Sequence, residues 1–231
     1  MSPRCGLIAA LDTTDPVQAA DWAAAVAPHC GMVKLGLEFF LANGVAGMRV
    51  ASGAPVFLDL KLHDIPNTVA GAVRAVLPLR PRMLTLHAAG GAAMLAAART
   101  AAETAGAERP ILLAVTVLTS LDPAALAETG VAGGPRQQVL RLARLAMAAG
   151  ADGLVCSPME ISALRDALGD APVLVVPGIR PAGAAADDQA RTMTPRAAAA
   201  AGADWLVVGR PITRATDPAA AAAAMAAEIA G

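Results

Sequence analysis

The chain has 231 residues, of which 56% are hydrophobic, 16% are charged and 2% are aromatic, and its formal net charge is −1. This length suits one α/β domain with a substantial core, and the near-zero charge argues against a basic surface for nucleic acid or an anionic membrane. Because no window approaches the roughly 20 apolar residues of a membrane span and the N-terminus lacks a signal-peptide pattern, we expect a cytoplasmic protein that acts on a small molecule.

Short apolar runs alternate with longer alanine-rich segments along the whole chain, a rhythm typical of βα units. Eight runs rich in valine, isoleucine and leucine are predicted strands: Leu7–Leu11, Met32–Leu35, Val56–Lys61, Met83–His87, Ile111–Thr116, Gly153–Cys156, Val173–Val176 and Trp205–Val208. Eight helices are predicted near 15–28, 38–50, 67–79, 91–105, 136–149, 158–168, 194–201 and 217–230.

This alternation predicts a single-domain α/β protein in which residues 1–231 form a (β/α)8 (TIM) barrel. An open doubly wound sheet is the alternative, but no GxGxxG motif follows the first strand, as a dinucleotide-binding fold requires. Two connections, 120–135 and 178–193, are longer than a barrel needs and are candidate lids.

Cysteine and histidine, which are typical ligands of transition metals, are scattered along the chain. The three residues of each type are Cys5, Cys30, Cys156, His29, His63 and His87, with no CxxC and no metal-ligand spacing. We therefore expect no metal site. His87 is interpreted as a hydrogen-bonded core residue, and His63 as orientational or idle.

Polar residues lie within or just after the predicted strands, toward the ends where a barrel carries its active site. They are Asp12, Lys34, Asp59, Lys61, His87, Thr116, Thr119, Arg180 and Arg210. Lys61 is notable because the chain has only two lysines against sixteen arginines. An arginine would serve a permanent ion pair, whereas a proton donor must be able to lose its proton, which a guanidinium effectively cannot. The lysine therefore indicates acid–base chemistry.

Asp59 and Lys61 are two residues apart in a predicted strand, so both side chains should point to the barrel mouth while Leu58 and Leu60 face the helices. A satisfied ion pair is the alternative. Because desolvation can exceed the attraction within a buried pair, such pairs are poor stabilisers, and we favour a functional role. Asp64 lies beyond the strand, where capping the next helix is an equally good interpretation.

Gly209 and Arg210 follow the eighth strand, at the corner where barrels often bind phosphate. Gly209 allows an anion to approach the backbone closely, Arg210 and Arg180 offer forked donors, and Gln189 adds an amide. A single arginine would more often be a solvated surface charge, but several at one corner favour phosphate binding.

Asp12 stands at the end of the first predicted strand, and Lys34 lies within the second, its neighbour. A carboxylate accepts hydrogen bonds and an ammonium donates them, so the two suit the hydroxyls of a ribose. The alternative is that they only neutralise each other.

Several segments together carry a family resemblance: Ala10-Leu-Asp12, Val33-Lys34-Leu-Gly36, Asp59-Leu-Lys61-Leu-His-Asp64-Ile-Pro-Asn-Thr68, Leu86-His87-Ala-Ala-Gly-Gly91, Val115-Thr-Val-Leu-Thr119-Ser120, Pro177-Gly-Ile-Arg180-Pro181, Asp188-Gln189-Ala-Arg-Thr-Met-Thr-Pro195 and Val208-Gly209-Arg210-Pro-Ile-Thr213. Over nearly its whole length the chain resembles the bacterial orotidine 5′-phosphate decarboxylases. Related sugar-phosphate enzymes share the Asp-x-Lys-x-x-Asp pattern alone, whereas the combination is specific.

The resemblance implies conversion of orotidine 5′-monophosphate to uridine 5′-monophosphate (UMP) and CO2, the last step of de novo UMP synthesis, without a metal or organic cofactor. It implies that Lys61 protonates C6 of the pyrimidine and that Asp59 holds Lys61. It also implies that Asp64, Ile65 and Thr68 act from the partner subunit of a homodimer. The resemblance further implies that Asp12 and Lys34 contact the ribose and that Thr119 contacts the pyrimidine. The implied phosphate contacts are Arg180, Gln189, Gly209 and Arg210.

Two other functions would suit the same scaffold. A sugar-phosphate decarboxylase or aldolase-like synthase would need a divalent metal at the barrel mouth. After the second strand Glu38 is the only nearby acidic residue that could bind it, and a place in the second helix is its simpler interpretation, which disfavours this function. A non-catalytic nucleotide sensor would leave Lys61 a purely structural role, which the complete set of Asp59, Lys61 and Asp64 disfavours.

Overall fold

The computed structural model of the chain describes residues 5–51, 53–181 and 192–230. Within these ranges eight parallel strands close into a barrel in chain order. The strands are β1 (Gly6–Ala10), β2 (Met32–Gly36), β3 (Val56–Leu62), β4 (Met83–His87), β5 (Ile111–Val115), β6 (Gly153–Val155), β7 (Val173–Val176) and β8 (Trp205–Val208). Each predicted strand is confirmed to within one residue at either end, and the closed barrel rules out the open doubly wound sheet.

The described residues also form ten α-helices: α1 (Pro16–Val26), α2 (Leu37–Gly47), α3 (Pro66–Val76), α4 (Gly91–Glu103), α5 (Pro123–Glu128), α6 (Pro135–Ala148), α7 (Ile161–Leu168), α8 (Pro195–Ala200), α9 (Arg210–Thr213) and α10 (Pro218–Ala230). The sequence predicts all of them except the short α5 and α9, which follow β5 and β8. Three predicted helices are shorter than expected because one end is a 3-10 turn, at Met48–Ala51, Leu77–Leu79 and Pro158–Glu160. None of the helices described is long and apolar enough to cross a membrane.

Local sequence explains where several helices begin. Six of the ten described helices start with proline, which fits the first helical position because its missing N–H would be unpaired there in any case. Asp15 and Asp217 precede two of these prolines, and their carboxylates accept hydrogen bonds from the amides of Val17 (2.8 Å) and Ala220 (3.0 Å). Such N-caps satisfy amides that the helix itself leaves without a partner.

Strand alternation divides the apolar side chains into two cores. One core fills the barrel interior and consists of Ile8, Ala10, Met32, Phe57, Met83, Leu113, Val175 and Val207. The larger core lies between the barrel and its helices, and it includes Leu58 and Leu60. Because neighbouring residues of a strand face opposite sides, this confirms that Asp59 and Lys61 face the interior of the barrel.

Trp205 occupies the N-terminal end of the barrel beside two glycines. A Cβ atom on Gly31 would lie 2.7 Å from the indole ring, and one on Gly6 would clash with the same ring. The two glycines therefore make room for the tryptophan, which packs against the interior core.

Two aspartates at the same end of the barrel join a strand to the connection or helix that precedes it. Asp152 accepts hydrogen bonds from the Leu112 amide (2.8 Å) and the Arg109 guanidinium (2.7 Å), and Asp204 accepts them from the Leu174 amide (2.7 Å) and Arg165 (2.7 Å). Burial raises the pKa of the Asp152 carboxyl, but Arg109 and the backbone amide outweigh it and hold that pKa below its usual range. The end opposite the strand C-termini is thus fixed by charge-assisted hydrogen bonds.

Candidate active site

The C-terminal end of β3 departs from a regular strand. Leu58 pairs with Leu84 and Leu62 pairs with Leu86, so four steps along β3 match two steps along β4. Within this bulge Lys61 has a φ of 50°, in the left-handed region that residues other than glycine rarely adopt. Such a conformation costs about 1–2 kcal/mol and often marks a functional site.

Four charged side chains form a continuous network across β1, β2 and β3. The Lys61 Nζ atom lies 2.9 and 2.8 Å from the two carboxylate oxygens of Asp59. The Lys34 Nζ atom lies 3.6 Å from Asp59 Oδ2 and 3.0 Å from Asp12 Oδ1. Lys34 and Asp59 are buried, whereas Lys61 and Asp12 are partly or largely exposed at the two ends. The charges therefore alternate in sign from Asp12 to Lys61.

This alternation keeps the two buried groups ionised. Burial raises the pKa of the Asp59 carboxyl, but the ammonium groups of Lys34 and Lys61 outweigh it and hold the pKa below its usual range. Burial lowers the pKa of the Lys34 ammonium, but the carboxylates of Asp12 and Asp59 outweigh it and leave the pKa above its usual range. Near neutral pH, a buried carboxylate therefore lies between two cations.

Two cavities open beside this network and share Lys34, Pro177 and Val207 in their walls. The cavity next to Lys61 has a volume of about 180 Å³, and its other walls are mainly apolar: Phe57, Asp59, Val115, Val117, Leu118, Thr119, Val155 and Cys156. The other cavity has a volume of about 410 Å³ and more polar walls: Ala10, Asp12, Gly178, Arg180, Gly209 and Arg210. The shared walls make them two halves of one cleft.

The larger cavity, which has Lys34, Arg180 and Arg210 in its walls, is the cationic half of the cleft. It contains three of the four predicted phosphate contacts. Arg180 is buried, and its Nη1 atom donates a hydrogen bond to the Ile179 carbonyl (2.9 Å). A Cβ atom on Gly209 would lie 3.4 Å from the Asp12 carboxylate. The absence of a side chain at Gly209 therefore leaves space in this half of the cleft. Gln189 lies outside the described residues, as does most of the candidate lid 178–193.

The segment that contains Asp64, Ile65 and Thr68 does not contribute these residues to the walls of the cleft. All three residues are exposed, and none lines either cavity. Asp64 Oδ1 accepts a hydrogen bond from the Ile65 amide (2.7 Å). The cap residue of α3 is Ile65, which makes no side-chain capping bond, so the interpretation of Asp64 as the N-cap is wrong.

His63 and His87 form a tilted ring pair with centroids 5.3 Å apart. His87 is only partly buried, so the expectation of a core histidine is wrong. Burial lowers the pKa of His87, and the neighbouring His63 and Lys61 lower it further. Near neutral pH the ring is therefore uncharged.

Thr85 is a site residue that the sequence analysis missed. It is fully buried on β4 between Met83 and His87, and its hydroxyl contacts both Asp59 and Lys61. Strand alternation could have indicated it, because Met83 and Thr85 lie two residues apart and so share the inward face of a strand that ends at the predicted barrel mouth. A polar residue on that face required a partner, but the sequence did not identify which one.

Comparison with known proteins gives consistent matches along the chain. The model of the family described as "Orotidine 5'-phosphate decarboxylase / HUMPS family" matches residues 6–225. A protein of Gluconobacter oxydans (strain 621H) named orotidine 5'-phosphate decarboxylase is 58% identical, over 100% of this chain and 99% of its own. One of the same name from Anaeromyxobacter sp. (strain K) is 56% identical, over 98% and 99%. The crystal structure of orotidine 5'-phosphate decarboxylase from Lactobacillus acidophilus matches with a TM-score of 0.88 and 38% identity, over 98% of this chain and 100% of that chain.

Proposed function

Because this chain belongs to the orotidine 5'-phosphate decarboxylase / HUMPS family, we propose that it converts orotidine 5′-monophosphate to UMP and CO2 in pyrimidine biosynthesis. The observation that carries this proposal is the alternating network from Asp12 to Lys61, which borders a cleft with one apolar and one cationic half. An apolar half suits a planar pyrimidine, and a cationic half suits a phosphate. We further propose that the chain acts as one cytoplasmic catalytic domain.

Lys61 is the proposed proton donor. When the bond between C6 and the carboxylate breaks, CO2 leaves and the electron pair remains on an sp² carbon that has no conjugated sink. A fixed ammonium next to C6 stabilises this charge and then transfers a proton to the carbon. Lys61 afterwards regains a proton from solvent. The partly exposed position of its Nζ atom at the apolar half of the cleft supports this role.

Asp59 is proposed to hold the ammonium group of Lys61 in place. Both of its oxygens accept hydrogen bonds from Lys61, which fixes the position of the ammonium. A buried carboxylate beside the departing carboxylate also repels it, and this repulsion is relieved as CO2 forms. Lys34 keeps Asp59 ionised from the other side.

The remaining contacts are proposed to bind the substrate away from C6. Asp12 and Lys34 face the ribose hydroxyls, and Thr119 contacts the pyrimidine. Arg180, Gly209 and Arg210 bind the phosphate together with Gln189. Binding energy from the phosphate, which is remote from C6, then positions the ring against Lys61. We propose no metal and no organic cofactor.

The active unit is proposed to be a homodimer in which Asp64, Ile65 and Thr68 complete the partner's site. Their exposure away from their own cleft supports this arrangement. Asp64 would then extend the alternating network beyond Lys61 with a second carboxylate.

Helix α2 supplies a second argument for a dimer. Leu37, Leu41 and Val45 recur at a spacing of four residues, and they are 49%, 75% and 58% exposed. Leu37 and Leu41 lie on one face of the helix, and Val45 follows a break in the helix at Gly44 (φ 58°, ψ −156°). Contact with a second copy would remove these three apolar side chains from water.

The proposal is tested by following the loss of orotidine 5′-monophosphate spectrophotometrically, with and without a chelator. We expect turnover by the unmodified protein that the chelator does not change. Lys61→Ala should lower kcat by at least about 1,000-fold while calorimetry still detects UMP binding. Arg144→Ala, which removes an exposed cation on α6, is the control and should retain full activity. Absence of turnover would contradict the activity, chelator-sensitive turnover would favour the metal-dependent alternative, and an active Lys61→Ala would contradict the role of Lys61.

A further inference from the structure

Thr85 joins the two residues at the centre of the proposed chemistry through a single hydroxyl group. Its Oγ1 atom accepts a hydrogen bond from the Lys61 backbone amide at 2.9 Å and donates one to Asp59 Oδ1 at 2.9 Å. The side chain is fully buried, and it lines neither cavity of the cleft. Thr85 is therefore placed to act on Asp59 and Lys61 and not on a bound substrate.

The first of these bonds is made where the β3–β4 ladder is interrupted. The register between β3 and β4 shifts between Leu58 and Leu62, and Lys61 has a φ of 50° there. At this part-buried position, a backbone amide that the strand ladder no longer pairs needs another acceptor. The hydroxyl of Thr85 supplies that acceptor, and so it fixes the backbone from which the Lys61 side chain projects.

The second bond sets the rotation of the Asp59 carboxylate. Asp59 Oδ1 accepts from Thr85 and from Lys61, which leaves Asp59 Oδ2 to accept from Lys61 and to face Lys34 at 3.6 Å. A hydroxyl has one hydrogen to donate. Because Thr85 donates that hydrogen to Oδ1, the carboxylate plane is held with Oδ1 toward Thr85 and Oδ2 toward Lys34, while Lys61 contacts both oxygens.

We propose that Thr85 is a positioning residue for decarboxylation: its hydroxyl fixes both the backbone of Lys61 and the carboxylate of Asp59, so that the ammonium is aimed at the reacting carbon. This inference rests on the proposed function. It assigns the polar position on β4 a role in turnover beyond filling the barrel interior.

The test compares Thr85→Val, which keeps the shape and removes the hydroxyl, with Thr85→Ser, which keeps the hydroxyl. We expect Thr85→Val to lower kcat by about 100-fold, as a small misplacement of reacting groups does, with little change in KM. Thr85→Ser should restore kcat to within about threefold of the unmodified protein. Met83→Leu, a change on the same face of β4, is the packing control and should leave kcat unchanged.

The pH profile supplies a readout that packing alone would not move. The Thr85 hydrogen bond is among the interactions that hold the pKa of Asp59 down, so its loss raises that pKa. When the pH is lowered, activity that requires an ionised Asp59 is then lost at a higher pH in this variant than in the unmodified protein. The acid limb of kcat/KM should shift upward in Thr85→Val and not in Thr85→Ser.

Unchanged kcat and an unchanged acid limb in Thr85→Val would overturn the inference, as would an equal loss of kcat in Thr85→Ser or Met83→Leu. If Thr85→Val does not fold, Thr85→Ala replaces it, because alanine removes the hydroxyl and adds no atom beside Asp59. Failure of the proposed function is distinct: the unmodified protein itself would then have no turnover, and the role of Thr85 in that reaction would be rejected with it.

Discussion

Lys61 combines a charge placed for chemistry with a backbone conformation that lysine disfavours. The left-handed φ of 50° is costly because the Cβ atom approaches the following carbonyl oxygen, and glycine does not have this penalty. Hydrogen bonds that Lys61 donates to Asp59 and Thr85 hold the residue in place. The strain therefore lies at the residue to which the proton transfer is assigned.

This strain predicts an unusual order of stability between two substitutions that both remove the charge. Lys61→Gly should be more stable than Lys61→Ala by about 1 kcal/mol, because only alanine carries a Cβ atom into the left-handed region. Urea unfolding measures the difference. At Arg144, in the middle of α6, alanine should instead be more stable than glycine. Equal or reversed stability at position 61 would mean that the backbone relaxes without cost.

At the scale of single elements, the N-terminal end of the barrel depends on two glycines that face an indole. Gly31→Ala should destabilise the protein by about 1–3 kcal/mol, because the added carbon overlaps the Trp205 ring. Gly71→Ala on α3 is the matched control: its Cβ would meet only the end of Arg74 at 3.9 Å, and it should stabilise the helix by up to about 1 kcal/mol. Thermal unfolding of both variants tests this contrast, and destabilisation by Gly71→Ala would contradict it.

The elements also explain which features were predictable. Each strand is a short run of apolar residues, and β3 alternates between apolar and charged residues from Leu58 to Leu62, so the barrel and the inward direction of Asp59 and Lys61 followed from sequence. The bulge in β3 did not, because register is a relation between β3 and β4 that neither sequence contains. The same limit hid the hydrogen bond that the Lys61 amide donates to Thr85. Helix α7 begins at Ile161 and not at residue 158, because Pro158–Glu160 form a 3-10 turn. Such an end was not predictable, since local propensity defines helix ends poorly.

At the scale of the whole molecule, the proposed dimer places each complete site between two chains. Lys61→Ala and Asp64→Ala should each be strongly impaired alone. In a heterodimer of the two, one site carries both changes and the other carries neither, so about half of the wild-type activity should return. Two different affinity tags allow the heterodimer to be purified and assayed. If Asp64 acted within its own chain, every site would carry one defect and no activity would return.

Both lysines of the chain, Lys34 and Lys61, lie within the same charge network, one on each side of Asp59. Chemistry that is selective for primary amines therefore has two side-chain targets in this protein, and both border the cleft. Reductive methylation with ¹³C-formaldehyde should add two side-chain resonances to that of the α-amino group. The shifts of these resonances with pH would report the charge of each lysine without any mutation. Protection of either amine by UMP would show directly which one a nucleotide covers.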